Sequence, residues 1–199
     1  MNGFERRKLQ KKQAILETSL RLFQKKGYKK VSIAEIAKEA NVSQVTIYNY
    51  LESKEKLLEE VIVYYMDQMW QRYQALMEED MSFEQKIKQL FLDEIEIANE
   101  VSEEFLQFIM QYYTEEGNYI EKVYQEKVLP ALIKLLHQGR EEGYIHEQIS
   151  DQTLLQYLQM FTDYLQREGV MQEMLPVSME FSRLFFYGIA GENPGDKEQ

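Results

Sequence analysis

Apolar residues recur at every third or fourth position along most of the chain, and no stretch keeps a two-residue alternation for long. That period predicts helices throughout and no sheet. A first helix reads from about Arg7 to Lys26, with Ile15, Leu22 and Phe23 on one face and the small residues Ala14, Thr18 and Ser19 admitting a close neighbour. Gly27 follows Lys25 and Lys26, the sequence of a left-handed helix stop with cations at the negative end of the dipole. Ser32 and Glu35 then make a capping box for a second helix with Ile33, Ile36, Ala37 and Ala40 inward. Asn41-Val42-Ser43 is a tight turn: Asn tolerates the left-handed backbone such a turn needs, Val42 points inward, and Ser43 caps a third helix, Gln44–Leu51. Ile47 and Leu51 face its core.

Two short helices joined by that turn have the layout of a helix-turn-helix reader of the DNA major groove. With Ile47 and Leu51 turned inward, Gln44, Val45, Thr46, Tyr48, Asn49 and Tyr50 remain for the groove and its walls. Gln and Asn can bond bidentately to adenine, and Val and Thr can meet a thymine methyl. Ser32, Tyr48, Tyr50 and Lys54 suit phosphate oxygens, and the helix start at Ser43 offers amide donors as well. Over residues 12–60, through the following S-K-E-K-L, the chain resembles the TetR family of bacterial transcriptional regulators. Asn41 and Val45 depart from that family's pattern, where Gly or another small residue is common, and Leu51 replaces a frequent Phe. A β-branched side chain at Val45 changes which atoms reach the groove.

After residue 60 the helical period continues. A fourth helix is predicted over Lys54–Glu78, capped by Ser53, with Leu58, Ile62, Tyr65, Met69, Tyr73 and Leu76 on one face. Ser82 and Gln85 form another capping box, opening a helix with Phe83, Ile87, Leu90, Phe91 and Ile95 inward. Ser102 caps the next. A helix from about Tyr119 to Arg140 must kink or break near Pro130, which denies the Glu126 carbonyl its donor, and Gly143 ends it. Two more helices read over about Asp151–Arg167 and Ser178–Gly188.

The expectation is an all-α chain of about nine helices. Residues 1–52 form a helix-turn-helix DNA-binding domain, residues 53–190 a helical ligand-binding and dimerisation domain, and residues 191–199 a disordered tail. A net formal charge of -11 at first argues against a DNA binder. The charge is unevenly placed, however: residues 1–60 carry 13 Lys and Arg against 8 Glu, while residues 61–199 carry 10 against 26 acids. A basic head on an acidic body turns the head toward DNA. Arg6, Arg7, Lys8, Lys11 and Lys12 form an N-terminal basic cluster, either a frayed solubilising terminus or a flexible arm touching backbone or minor groove.

The family resemblance further implies a dimer whose last two helices make a four-helix interface. Leu154, Leu158, Phe161 and Leu165, then Phe181, Leu184 and Phe185, carry more apolar surface there than one core stripe requires. It also implies a small-molecule cavity among the helices of the body. Candidate lining residues are Tyr65, Met69, Trp70, Tyr73 and Phe91, with Phe105, Phe108, Tyr112, Tyr124 and Phe161. Met and aromatic side chains suit an adaptable site for an apolar or planar molecule, although each alone also reads as plain core. An acid at Asp93, Glu94 or Asp163 facing it would favour a cationic lipophile.

Enzyme chemistry finds little support. The histidines, His137 and His146, lack metal-ligand spacing, there is no Cys, and neither a phosphate loop nor a nucleophile elbow occurs, so no catalytic residue, metal or cofactor is expected. With no signal-like start and no apolar run of membrane length, a cytoplasmic protein that does not use a membrane is expected. The implied function is a ligand-responsive repressor, a homodimer released from a palindromic double-stranded DNA operator by a small effector. The alternative is a helical protein-binding module whose basic head makes only nonspecific DNA contacts.

Overall fold

The computed structural model describes residues 2–90, 101–113 and 118–165, together with 167, 170–174, 177, 180, 181 and 184. All regular structure among the described residues is helical. The elements are α1 (Gly3–Lys26), α2 (Ile33–Glu39), α3 (Gln44–Leu51), α4 (Lys54–Glu78), α5 (helical over 83–90), α6 (Glu103–Tyr113), α7 (Tyr119–Val123), α8 (Leu129–Glu141), α9 (Asp151–Leu165) and α10 (Val170–Met174). Contacts gather these into two compact units: Met1–Gln71 with Asn99–Lys122, and Arg72–Ala98 with Val123–Gln199.

The first unit holds α1 to α3, most of α4, and α6. Its centre is Ile15, Leu22, Phe23, Ile36, Ile47, Leu51, Leu57, Val61 and Phe105, all at most 1% exposed. Burying each such side chain contributes about 1.5–3 kcal/mol, far more than any surface pair nearby. Local chemistry sets the boundaries. Ser32 Oγ accepts from Glu35 N over 3.1 Å, Ser43 Oγ from Thr46 N over 3.0 Å, and Ser53 Oγ from Lys56 N over 3.1 Å. Gly27 takes φ +80 and Asn41 φ +53, the left-handed stops that the sequence predicts. The box at Ser32 is half of what was expected, because the Glu35 carboxylate turns to Lys26 instead.

α1 begins at Gly3 rather than near Arg7. Asn2 Oδ1 accepts from Glu5 N over 2.9 Å, and Asn2 N donates to Glu5 Oε2 over 3.1 Å, a reciprocal cap that launches the helix four residues early. At its other end α1 is closed by α6. Ser102 Oγ donates to Phe23 O over 3.1 Å and Ser102 N donates to Gln24 O over 3.1 Å. The last carbonyls of one helix thus meet the first turn of another, negative dipole end against positive.

In the second unit Phe83, Ile87, Leu135, Leu136, Ile145 and Leu154 form one buried cluster. The box at Ser82 is complete: Gln85 N donates to Ser82 Oγ and Ser82 N donates to Gln85 Oε1. Near Pro130, where a kink or break was expected, the helical run instead continues through a turn of π-helix over Tyr124–Val128, in which Leu129 N bonds Tyr124 O five residues back. The widened turn carries the chain past the missing amide without a break. Gly143 takes φ +81 beyond α8.

Past α9 the path differs from expectation. A short helix, Val170–Met174, stands where a connection was read. Residues 180, 181 and 184 are helical, while Phe91, Asp93, Glu94, Phe185 and the tail 191–199 lie outside the described residues.

Candidate nucleic-acid interface

α3 has two unlike faces. Ile47 and Leu51 are 1% exposed and lock it to α1 and α2, while Val45 is 67% and Tyr48 47% exposed. Gln44 and Asn49 are exposed beside them, and Thr46 and Tyr50 are half-buried. Gln44, Val45, Tyr48 and Asn49 therefore share an outer surface of donors, acceptors and methyl groups. Val45, two-thirds in water, contributes little burial to the fold and would gain on meeting an apolar partner.

The caps narrow some roles. Thr46 Oγ1 lies 2.8 Å from Ser43 Oγ, so that pair of hydroxyls is engaged with itself and with the Thr46 amide. What Thr46 offers outward is its methyl group, and Ser43 serves first as the helix cap. Ser32 is exposed and accepts from Glu35 N, which leaves its hydroxyl proton directed to solvent.

The angle of α2 against α1 is fixed by ion pairs at the surface, Lys26 with Glu35 and Arg21 with Glu39. Hydrogen bonding to Glu35 raises the Lys26 ammonium above the usual lysine range, and the same bond lowers the Glu35 carboxyl. Exposed pairs of this kind contribute about 0–1 kcal/mol each, so they orient more than they stabilise.

Lys54 is placed differently from its expected role on phosphate. Its Nζ donates to Tyr28 O over 2.8 Å and stands 4.1 Å from the centroid of the Tyr28 ring. Burial pulls its pKa below the ordinary lysine value, partly opposed by the charges of Glu55 and Glu104. The ammonium points into the α1–α2 connection, where it ties the start of α4 to Tyr28. Sequence could not show this, because the partner lies 26 residues upstream.

A clasp around that connection is the feature sequence reasoning missed. Tyr28 is edge-on to Phe23 at 5.4 Å and to Phe108 at 5.1 Å. Glu104 accepts from Lys29 N over 3.3 Å, and a Cβ built on Gly27 would lie 2.3 Å from Glu104 Oε2. Phe105 is fully buried and edge-on to Tyr65. Phe105 and Phe108, expected to line a cavity, pack against Tyr65 and Tyr28 of the first unit.

Of the other expected lining residues, Met69, Trp70 and Tyr112 in the first unit are half-buried, as are Tyr73, Tyr124 and Phe161 in the second. Tyr73 is pushed up to about 12, first by burial and then by Tyr124. Asp67, which the sequence did not single out, accepts from Tyr119 Oη over 2.6 Å, and that bond with burial raises the phenol to about 12. Asp163 is exposed and holds Gln159 at 2.7 Å, so it faces water rather than a cavity. Among the described residues no group of three or more His, Asp or Glu is placed to hold a metal ion, and no helix is long and apolar enough to cross a membrane.

Leu154 requires correction. Expected at a partner interface, it is 3% exposed and sits in the cluster with Phe83 and Ile145. Leu158 and Phe161 are half-buried, the Leu165 side chain lies outside those described, and among the described side chains of α9 the open apolar positions are Met160 at 67% and Tyr164 at 41% exposure. Phe181 is half-buried and Leu184 is 67% exposed.

Comparison with known proteins agrees with this layout. The family model described as bacterial regulatory proteins, tetR family, matches residues 15–61, from the first buried residue of α1 into α4. The uncharacterized HTH-type transcriptional regulator YuxN of Bacillus subtilis is 44% identical over 63 residues, 32% of this chain and 22% of that protein. The chain spans between 22% and 41% of the curated relatives it matches. Among solved structures, the fatty acid degradation regulator FadR from Bacillus halodurans aligns with TM-score 0.61 at 23% identity, over 89% of this chain and 95% of that one. FadR from Bacillus subtilis, solved in complex with stearoyl-CoA, aligns with TM-score 0.60 at 21% identity, over 89% and 98%. At those identities the likeness is one of fold.

Proposed function

We propose that the chain, whose residues 15–61 match the tetR family of bacterial regulatory proteins, is a ligand-responsive transcriptional repressor of that family, acting in the cytoplasm as a homodimer on a near-palindromic operator. The observation that carries this reading is the two-faced α3: an inner edge locked by Ile47 and Leu51, and an outer edge presenting Gln44, Val45, Tyr48 and Asn49 to water. Gln44 and Asn49 are suited to adenine, Val45 and the Thr46 methyl to thymine, and Ser32, Tyr48 and Tyr50 to the phosphates.

One helix of this length reads too few bases to select a site, so two copies must act about 34–36 Å apart. The exposed Met160 and Tyr164 on α9 and Leu184 beyond it support a self-association surface there. Met160→Asp is expected to yield monomers in sedimentation and to weaken operator binding; a dimer that persists removes α9 from the interface.

The effector is proposed to be a small apolar or aromatic molecule bound among the helices of the body. It acts only through its preference for one conformer over another. α6 supplies a physical route, because its first turn caps α1 and holds the Gly27–Lys29 connection through Ser102 and Glu104.

Selection of duplexes from a random pool by the purified protein tests the reading. Enrichment of an inverted repeat is the expected result, and Asn49→Ala should relax preference at one base pair in each half by about 1–3 kcal/mol. No enrichment over the starting pool would favour a protein-binding module with nonspecific DNA contacts.

A further inference from the structure

The first turns of α1 have no evident structural reason to be helical. None of the described side chains from Asn2 to Ala14 is buried, and the first buried residue of the helix is Ile15. At 1.5 Å per residue, about 18 Å of helix runs from Gly3 to that point. Exposed helices of three turns are marginal in water, yet this one is capped by Asn2 and Glu5 and steadied at two further places. Lys12 Nζ bonds Glu60 of α4 at 2.9 Å, and Lys8 Nζ stands 5.8 Å from the ring centroid of Tyr50 on α3.

Helix geometry decides what the projecting piece presents. Arg7, Lys8 and Lys11 fall within an arc of about 100° that overlaps the edge of α1 carrying Ile15 and Leu22, the edge from which Lys8 reaches Tyr50 on α3. Toward the N-terminus this edge of α1 changes from apolar to basic as it passes the end of α3. Leu9 continues the line of the buried Leu16 and Leu20, while Arg6, Gln10 and Gln13 lie away from the basic arc, and all four are exposed. Arg7, Lys8 and Lys11 are exposed and carry no ion pair among the described residues, in contrast to Lys12, Arg21 and Lys26, which do. Three cations held without acidic partners repel one another, and an ordered row of them beside α3 gains most from an ordered row of anions.

We propose that Gly3–Lys11 is a rigid basic clamp for the phosphodiester backbone of the duplex whose bases α3 reads, with Arg7, Lys8 and Lys11 as its contacts. The clamp rests on the DNA-binding reading above and adds a site to it. It also replaces the flexible arm expected from sequence: the charges ride on a helix whose direction is set by the head, so they contribute register as well as attraction. Phosphate contacts of this kind release counterions but do not distinguish bases.

Fluorescence anisotropy with the selected operator duplex and an unrelated duplex of equal length, over a series of salt concentrations, tests the clamp. The variant Arg7→Gln/Lys8→Gln/Lys11→Gln should lose affinity for both duplexes by the same factor. Its plot of log affinity against log salt should be shallower by about 0.9 for each lost contact. Its thermal midpoint should be unchanged, since none of these side chains is buried. Gln10→Pro keeps every charge but breaks the helix before Ile15, and should reproduce most of the loss.

An unaltered salt slope in the triple variant would leave the segment a solubilising handle and overturn the proposal. So would a loss confined to the operator, which would assign these side chains to bases. Wild-type binding by Gln10→Pro would restore the flexible arm. Failure of the wild-type protein to prefer any sequence defeats the regulator reading itself, and that outcome is separate from the slope of the triple variant.

Discussion

Lys54→Met separates an inward-facing lysine from a phosphate contact. Met preserves the length of the stem and removes the ammonium, which donates to Tyr28 O over 2.8 Å and stands 4.1 Å from that ring. A hydrogen bond to a charged group contributes about 1.5–3 kcal/mol, and a cation over a partly exposed aromatic face about 1 kcal/mol more. Two effects reduce the loss. Burial already disfavours the charged form of Lys54, as its lowered pKa shows, and Tyr28 O keeps a second donor in Val31 N at 3.3 Å. The net expectation is about 1–2 kcal/mol, or roughly 3–6 °C in thermal midpoint for a chain of this size. Thermal unfolding and a salt titration of operator binding read the two possible roles independently. An inward ammonium releases no counterion, so the slope should match that of the wild type while stability falls. Unchanged stability with a slope shallower by about 0.9 per protomer would place Lys54 on phosphate and refute its assignment to the connection.

The clasp and the buried phenols yield further expectations. Gly27→Ala forces a Cβ at φ +80 and toward Glu104 Oε2, which must swing away from Lys29 N; a loss of about 1–2 kcal/mol in urea unfolding is expected, and wild-type stability would show that the left-handed stop is not required. Ser102→Ala removes both the cap on Phe105 N and the bond to Phe23 O, and should weaken the effector's influence on operator affinity more than it weakens DNA binding alone; an unchanged ratio of affinities with and without effector would take α6 out of the route. Tyr73, raised to about 12 against an ordinary value of 10, keeps its proton in the folded state after the unfolded chain has lost it. The stability linked to that protonated form is therefore intact below pH 10 and lost as pH rises through 12. Tyr73→Phe should flatten the decline between pH 10 and 12, and an identical alkaline slope would count against a buried, protonated phenol.

What the sequence made legible was local. Ser32, Ser43, Ser53 and Ser82 cap the helices they were expected to cap because a cap and its amide lie three residues apart, a distance that needs no tertiary knowledge. Asn41 and Gly27 were readable for the same reason. The early start of α1 was equally local in origin, since Asn2 and Glu5 have capping-box spacing, but a polar exposed helix lacks the apolar period that would draw attention to it. Lys54, Leu154 and Phe108 were not legible, and for one shared reason. Each has side-chain chemistry compatible with water, a partner or a core, and the choice is made by Tyr28 for Lys54 and Phe108, and by the Phe83 cluster for Leu154. On α9 the apolar period marked too wide a face, and only packing shows that, among its described side chains, Met160 and Tyr164 are left open.

The clasp also sets a scale for regulation. Through Ser102 and Glu104, α6 makes a hydroxyl bond to Phe23 O, an amide bond to Gln24 O and a carboxylate contact with Lys29 N at 3.3 Å. Net contributions of about 0.5–1.5 kcal/mol for each neutral bond, with a weak third contact, sum to about 2–3 kcal/mol. An effector that acted by breaking these three polar contacts alone would change operator affinity by at most about 30- to 150-fold, and by reciprocity the operator would weaken effector binding by the same factor. A coupling of this size is sufficient for a switch only if the unliganded protein binds its operator well within the excess conferred by the basic head. On the proposed reading, the 13 cations against 8 acids in residues 1–60 would provide that excess electrostatically and make it strongly dependent on salt. Base contacts from α3 would then decide where the protein sits and phosphate contacts how tightly, and the effector would have to overcome only the contacts of the clasp.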